Sequence, residues 1–160
     1  MATSSQGRDR GREAGLNSSD YEDQSEFRYG LRRFLRYSEI QARKAGITPQ
    51  QHMVLLMVRG HPAYPRVSIG DIAERLQLKH HSASLLVNRS LRRGLLERTE
   101  DANDRRRVLV CLTEEGQAIL ERITIANRVE LAQLEGQLFR SSFIEAVRRK
   151  RLVAEAPKAQ

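Results

Sequence analysis

"EDANDRRRVLVCLTEEG", residues 100–116, sets acidic residues ahead of three consecutive arginines and then runs into alternating apolar positions. Val108, Val110 and Leu112 alternate with Leu109, Cys111 and Thr113, the period of two expected of a strand whose faces differ. On that alternation Cys111 falls out of step with Val110 and Leu112, towards the surface. Upstream, "LLER" at residues 95–98 supplies a partner run, and pairing the two across "TEDANDRR" predicts a long hairpin with a basic tip.

What precedes the hairpin decides the fold. "SIGDIAERLQL" (68–78) reads as a short helix capped by Ser68, with Ile69, Ile72, Ala73 and Leu76 on its inner face. After a tight turn, "HSASLLVNRSLRRG" (81–94) reads as a second helix ended by Gly94. Two short helices and a tight turn make a helix-turn-helix, and a long hairpin directly after it makes a winged helix.

Further upstream, "TPQQHMVLLMVRG" (48–60) carries Thr48 as cap, Pro49 at the first helical position and Gln51 closing a capping box. Met53 to Val58 is apolar nearly all round, so this helix is expected at the centre of the core. "SDYE" (19–22) opens an earlier helix that runs through Phe27, Leu31, Phe34 and Leu35 to about Ala45, where Gly46 ends it. Beyond the hairpin Thr113 caps a last long helix. It carries Ile119, Leu120, Ile123, Leu131 and Leu134 along one side and Ala118, Ile125, Val129 and Ala132 near the other. A helix apolar on two faces has two things to touch, one of them a second subunit.

The fold class expected is mainly α with a small β wing: a winged helix-turn-helix lobe plus a helical dimerisation region. Its segments are a disordered basic arm at 1–18, a dimerisation helix at 19–47, the winged helix at 48–113, dimerisation helices at 114–155 and a tail at 156–160. In this chain of 160 residues, 28 Lys and Arg outnumber 20 Asp and Glu. Arginine supplies most of the excess, and its planar fork suits phosphate oxygens. The sequence holds no apolar run long enough to span a bilayer and opens on polar residues, so a cytoplasmic protein without membrane contact is expected. Its single cysteine, Cys111, fits a reducing compartment.

Four stretches, "TPQQHMVLL", "SIGDIAERLQLKHHSASLLVNR", "GLLER" and above all "DANDRRRVLVCLTEEG", resemble the MarR regulators of bacteria and archaea over about Arg28 to Leu134. Asp104 and Arg106 match the Asp-x-Arg of that family's wing, before a strand ending in Leu-Thr-x-x-Gly. The resemblance implies a homodimeric winged-helix transcription factor, with double-stranded DNA as partner and small aromatic or phenolic effectors that release it. Two positions depart from the pattern: Leu85 stands where arginine is common, and Ser90 where leucine is usual.

On that reading Ala83, Leu86, Val87 and Ser90 face inward, and Ser90 returns its hydroxyl to the carbonyl of Leu86. His80, His81, Ser82, Ser84 and Asn88 face the bases, while Lys79, Arg89, Arg92 and Arg93 hold phosphates. Arg105, Arg106 and Arg107 enter a minor groove, with Asp104 fixing the Arg106 guanidinium; the plainer account is a solvated turn with a surface ion pair. Arg33, Tyr37, His52 and Met53 are the candidate effector site, against a core role for Met53 and an interface role for Tyr37. The basic run Arg148–Arg151 either contacts flanking DNA or is a solvated helix face. His52, His61, His80 and His81 form no metal-ligand set, no cofactor is implied, and no catalytic constellation stands out. The reading is therefore a regulator, acting as a repressor on a near-palindromic operator. Its alternatives are a winged-helix module for an acidic protein partner and a redox-responsive regulator working through Cys111.

Overall fold

The computed structural model describes residues 18–99 and 108–140 of the chain, and side-chain caps at Thr48, Ser68 and Thr113 open three of the helices there. The elements are α1 (Ser18–Lys44), α2 (Pro49–Arg59), β1 (Val67–Ser68), α3 (Ile69–Arg75), α4 (His80–Arg92), β2 (Leu96–Thr99), β3 (Leu109–Leu112) and α5 (Glu114–Arg140). At α2 the Thr48 hydroxyl accepts from the Gln51 N–H at 3.2 Å, and the Gln51 side chain accepts from the Thr48 N–H at 2.9 Å, the reciprocal box expected. Ser68 and Asp71 repeat this at α3, where Asp71 Oδ2 accepts from both the Ser68 N–H at 3.0 Å and its hydroxyl at 2.7 Å. Gly46 and Gly94 take φ of +82° and +73° after α1 and α4, the left-handed step that closes a helix and that glycine adopts without a Cβ penalty.

The chain divides into two compact units, residues 35–129 and a second containing residues 18–34 and 130–140, so both long helices pass from one unit to the other. In the larger unit β3 is the middle strand of an antiparallel sheet ordered β1-β3-β2. Leu96 lies opposite Leu112, Arg98 opposite Val110, and Val67 opposite Val110 from the other side. Leu55, Ile72, Leu95 and Ile123 are fully buried together with Val54, Val58, Val67, Val87 and Val110, joining α2, α3, α4, the sheet and α5 in one core. Each such side chain contributes about 1.5–3 kcal/mol relative to an exposed position. In the smaller unit Leu134 is buried, and Arg33 lies 4.0 Å from Glu130.

Several expectations are corrected. The sheet has a third strand, β1, at Val67 and Ser68, where the sequence pattern marked Ser68 only as a helix cap. Only Val54, Leu55, Val58 and His52 of α2 are buried; Met53 and Leu56 are exposed, because one face of the helix meets the core and the other does not. Leu131 of α5 is also exposed. All four residues of β3 are buried, Cys111 among them, so the thiol does not face the surface. The alternation survives in a different form: Val110 and Leu112 join the main core, while Leu109 and Cys111 are buried outside it.

Candidate nucleic-acid interface

α4 is amphipathic in the sense its spacing predicts. Ala83, Val87 and Ser90 are buried and Leu86 half-buried, while His80, His81, Ser82, Leu85, Arg89 and Arg92 are exposed and Ser84 and Asn88 half-buried. A fully buried serine in the last turn of a helix needs a partner, and Ser90 Oγ donates to the Leu86 carbonyl at 3.1 Å, as expected. On the outer side Asn88 Nδ2 donates to Ser84 Oγ at 3.5 Å, which lines the two polar groups up one turn apart.

The start of α4 is open. Lys79 is the N-cap in extended conformation, and no side chain caps the helix. The first-turn N–H groups are thus left for an outside acceptor, at the end where the helix dipole favours negative charge. Lys79, Arg89 and Arg92 surround this face without an ion pair to any described residue. Arg93 differs, since its guanidinium lies 3.3 Å from Glu115, but both side chains are half-exposed and a pair of that kind contributes only about 0–1 kcal/mol. From Arg66 to Arg107 the chain carries ten basic and six acidic residues. The wing residues Asp104, Arg105, Arg106 and Arg107 lie outside the described residues, as do the arm at 1–17 and the run at 148–151; β2 and β3 form the described base of the hairpin.

The residues expected at an effector site are placed differently from one another. Arg33 pairs with Glu130, Tyr37 is half-buried on α1, His52 is buried and its neighbour Met53 exposed. A small open cleft of about 180 Å³ lies elsewhere, lined by Gln41, Lys44, Ala45, Arg122, Ile123 and Ala126. Nearby, Asn127 donates to Ser38 Oγ at 2.9 Å across α1 and α5, a buried polar pair that sequence reading did not find because its members stand 89 residues apart. Among the described residues no three His, Cys, Asp or Glu side chains cluster as metal ligands, and no described helix is long and apolar enough to cross a membrane.

Burial gives two side chains a definite protonation behaviour. His52 has its pKa lowered from 6.5 by loss of solvent. The unfolded chain therefore takes up a proton before the folded one, and the stability this group confers is full above about pH 6.5 and lost as pH falls through the lowered folded value. The denaturation midpoint should drop between about pH 7.5 and pH 5.5, and the drop should shrink in His52→Gln; an equal drop in the variant would place its origin elsewhere.

Cys111 is pushed up to about 11 by burial, by donation of its thiol to Glu97 Oε1 at 3.3 Å and by that carboxylate's charge. The thiolate is the reactive form, so a thiol reagent at neutral pH should modify the native protein far more slowly than the unfolded one. Rapid labelling of the native chain would contradict this placement.

The model of the MarR family matches residues 45–107. The HTH-type transcriptional repressor MdtR of Bacillus subtilis (strain 168) is 28% identical over 103 residues, which is 64% of this chain and 64% of that protein, slightly under two thirds of the relative's length. Solved structures share the fold. A MarR family transcription regulator covers 87% of this chain and 93% of its own at a TM-score of 0.67 and 23% identity. A MepR mutant of S. aureus bound to an oligodeoxyribonucleotide covers 88% of this chain and 96% of its own at a TM-score of 0.56 and 23% identity. BpsR of Bordetella bronchiseptica, whose DNA binding 6-hydroxynicotinic acid regulates, covers 81% of this chain and 90% of its own at a TM-score of 0.58 and 23% identity.

Proposed function

We propose, for a chain whose residues 45–107 belong to the MarR family, the role of a homodimeric, sequence-specific DNA-binding transcriptional regulator that represses from a near-palindromic operator. The observation that carries this reading is the outer face of α4, a row of hydrogen-bonding side chains with an uncapped helix start and cations that pair with no described residue. Its 13 residues give a rod that the major groove of B-DNA admits. His80, His81, Ser82, Ser84 and Asn88 then meet base edges, Lys79, Arg89 and Arg92 hold phosphates, and the first-turn amides grip one more. The wing arginines 105–107 reach an adjacent minor groove, with Asp104 ordering Arg106.

Residues 48–113 are the reader, 19–47 and 114–155 the dimerisation segments, and 1–18 and 156–160 an arm and a tail. Phe27 and Leu35 of α1 and Ile125, Val129 and Leu131 of α5 are exposed in the single chain and give a second copy apolar surface to cover. Two readers related by a two-fold axis meet successive major grooves about 34 Å apart. Release by a small aromatic or phenolic effector fits the regulation of BpsR, with Arg33, Tyr37, His52 and Met53 as its candidate contacts. Action on DNA in the cytoplasm of a bacterium or archaeon follows.

Selection of bound fragments from random duplex DNA tests the reading. A two-fold symmetric site should emerge, and Arg89→Ala should weaken binding to all duplexes alike, since a phosphate contact positions without specifying. Recovery of unselected sequence, or a purified chain that stays monomeric, would refute it.

A further inference from the structure

Leu85 breaks the character of the face it stands on. It is the large apolar side chain that α4 leaves in water, 45% exposed, while its neighbour Leu86 turns toward the core. An isolated exposed leucine needs no explanation by itself. This one is set within the polar row: His81 lies four residues before it, Ser84 one before, Asn88 three after and Arg89 four after, all on or beside the outer face. The Asn88–Ser84 hydrogen bond at 3.5 Å holds polar groups beside it. With the cations of Lys79, Arg89 and Arg92 in no ion pair to a described residue, a helix seated by its charges on a duplex brings the Leu85 isobutyl group to the groove floor.

What it meets there follows from chemistry. Leucine offers no donor and no acceptor, so any base edge that presents only such groups would be stripped of water and left unpaired against it. The major groove presents one apolar feature, the C5-methyl of thymine. We infer that Leu85 is a specificity-determining residue that reads a thymine C5-methyl at one position of each half-site. The inference rests on the DNA-binding reading above and makes it finer: a position where the resemblance leads one to expect arginine, and hence guanine, selects a methyl instead.

The test uses the full chain and the operator obtained by selection. Each thymine is replaced in turn by deoxyuridine, which removes one methyl and leaves every hydrogen-bonding group. Substitution at one symmetry-related pair should weaken binding about fourfold per half-site, the worth of one buried methyl, and 5-methylcytosine at that position should bind better than cytosine. In Leu85→Ala the penalty for deoxyuridine should vanish, and Leu85→Arg should move the preferred base there from thymine to guanine. Specific binding that ignores deoxyuridine at every position overturns the inference and leaves the wider reading standing. Binding without sequence preference overturns both.

Discussion

Operator affinity should fall about a thousandfold or more when salt rises from about 50 to 200 mM. Each subunit carries an excess of basic residues over acidic ones from Arg66 to Arg107, and a dimer doubles it. Lys79, Arg89 and Arg92 are exposed on α4 and have no described carboxylate to neutralise them. On the proposed reading, a dimer that adds the arginines at 105–107 would neutralise on the order of six to ten phosphates, and the affinity would then scale with salt to a power of about −0.9 for each. Counterions released from the duplex drive this dependence, so it belongs to the phosphate contacts and not to the bases. Arg89→Ala removes one such contact per subunit and should flatten the log–log slope by about two, whereas Leu85→Ala should lower affinity and leave the slope unchanged. Fluorescence anisotropy on a single labelled operator at several salt concentrations reads both. A slope near zero in the unaltered protein would mean that charge does not seat α4 on DNA, whatever its face resembles.

What could be read in advance was what the chain writes locally. The caps at Thr48 and Ser68 and the hydroxyl return of Ser90 depend on partners three or four residues away, so spacing alone finds them. The resemblance to the MarR family is local in the same sense, since its quoted stretches lie within or near the matched 45–107. Cys111 failed because alternation says that two faces differ, and what covers the second face is set by distant parts of the chain. β1 failed because a strand of two residues has no period; only its pairing with Val110 and Leu109 defines it. Met53 and Leu56 show the limit of composition, for an apolar helix is buried only where neighbours meet it. Of the candidate interface, the inward and outward faces of α4 were legible from their 100° steps, whereas the Arg93–Glu115 pair, formed with a residue 22 positions away, was not.

Gly116→Ala should destabilise the protein by about 3 kcal/mol, at or beyond the upper end of overpacking effects. Helix propensity points the other way, since alanine is better than glycine inside a helix by about 1 kcal/mol. Geometry decides the sign. A Cβ at Gly116 would fall on the Leu95 carbonyl oxygen and crowd the Leu95 carbonyl carbon at 3.0 Å and its Cα at 3.3 Å. These are backbone atoms of a fully buried residue. They are held on one side by the Leu95 N–H bond to the Ser90 carbonyl at 3.0 Å and on the other by the Thr113 N–H, which donates to the Leu95 carbonyl at 3.2 Å. Thr113 in turn donates its hydroxyl to the Gly94 carbonyl at 2.7 Å and accepts from the Gly116 N–H at 3.0 Å, so the end of α4, the start of β2 and the start of α5 close on one point. Nothing there can swing aside as the tip of a long side chain would. Gly70 provides the contrast: a Cβ would rest 3.6 Å from Ser68 Oγ in ordinary contact, so Gly70→Ala should be neutral or stabilising by up to about 1 kcal/mol. Urea midpoints for the two variants should therefore move in opposite directions or apart. If Gly116→Ala keeps the midpoint of the unaltered protein, the junction of reader, wing and last helix is looser than these bonds require, and α4 would not be held firmly enough to read a sequence.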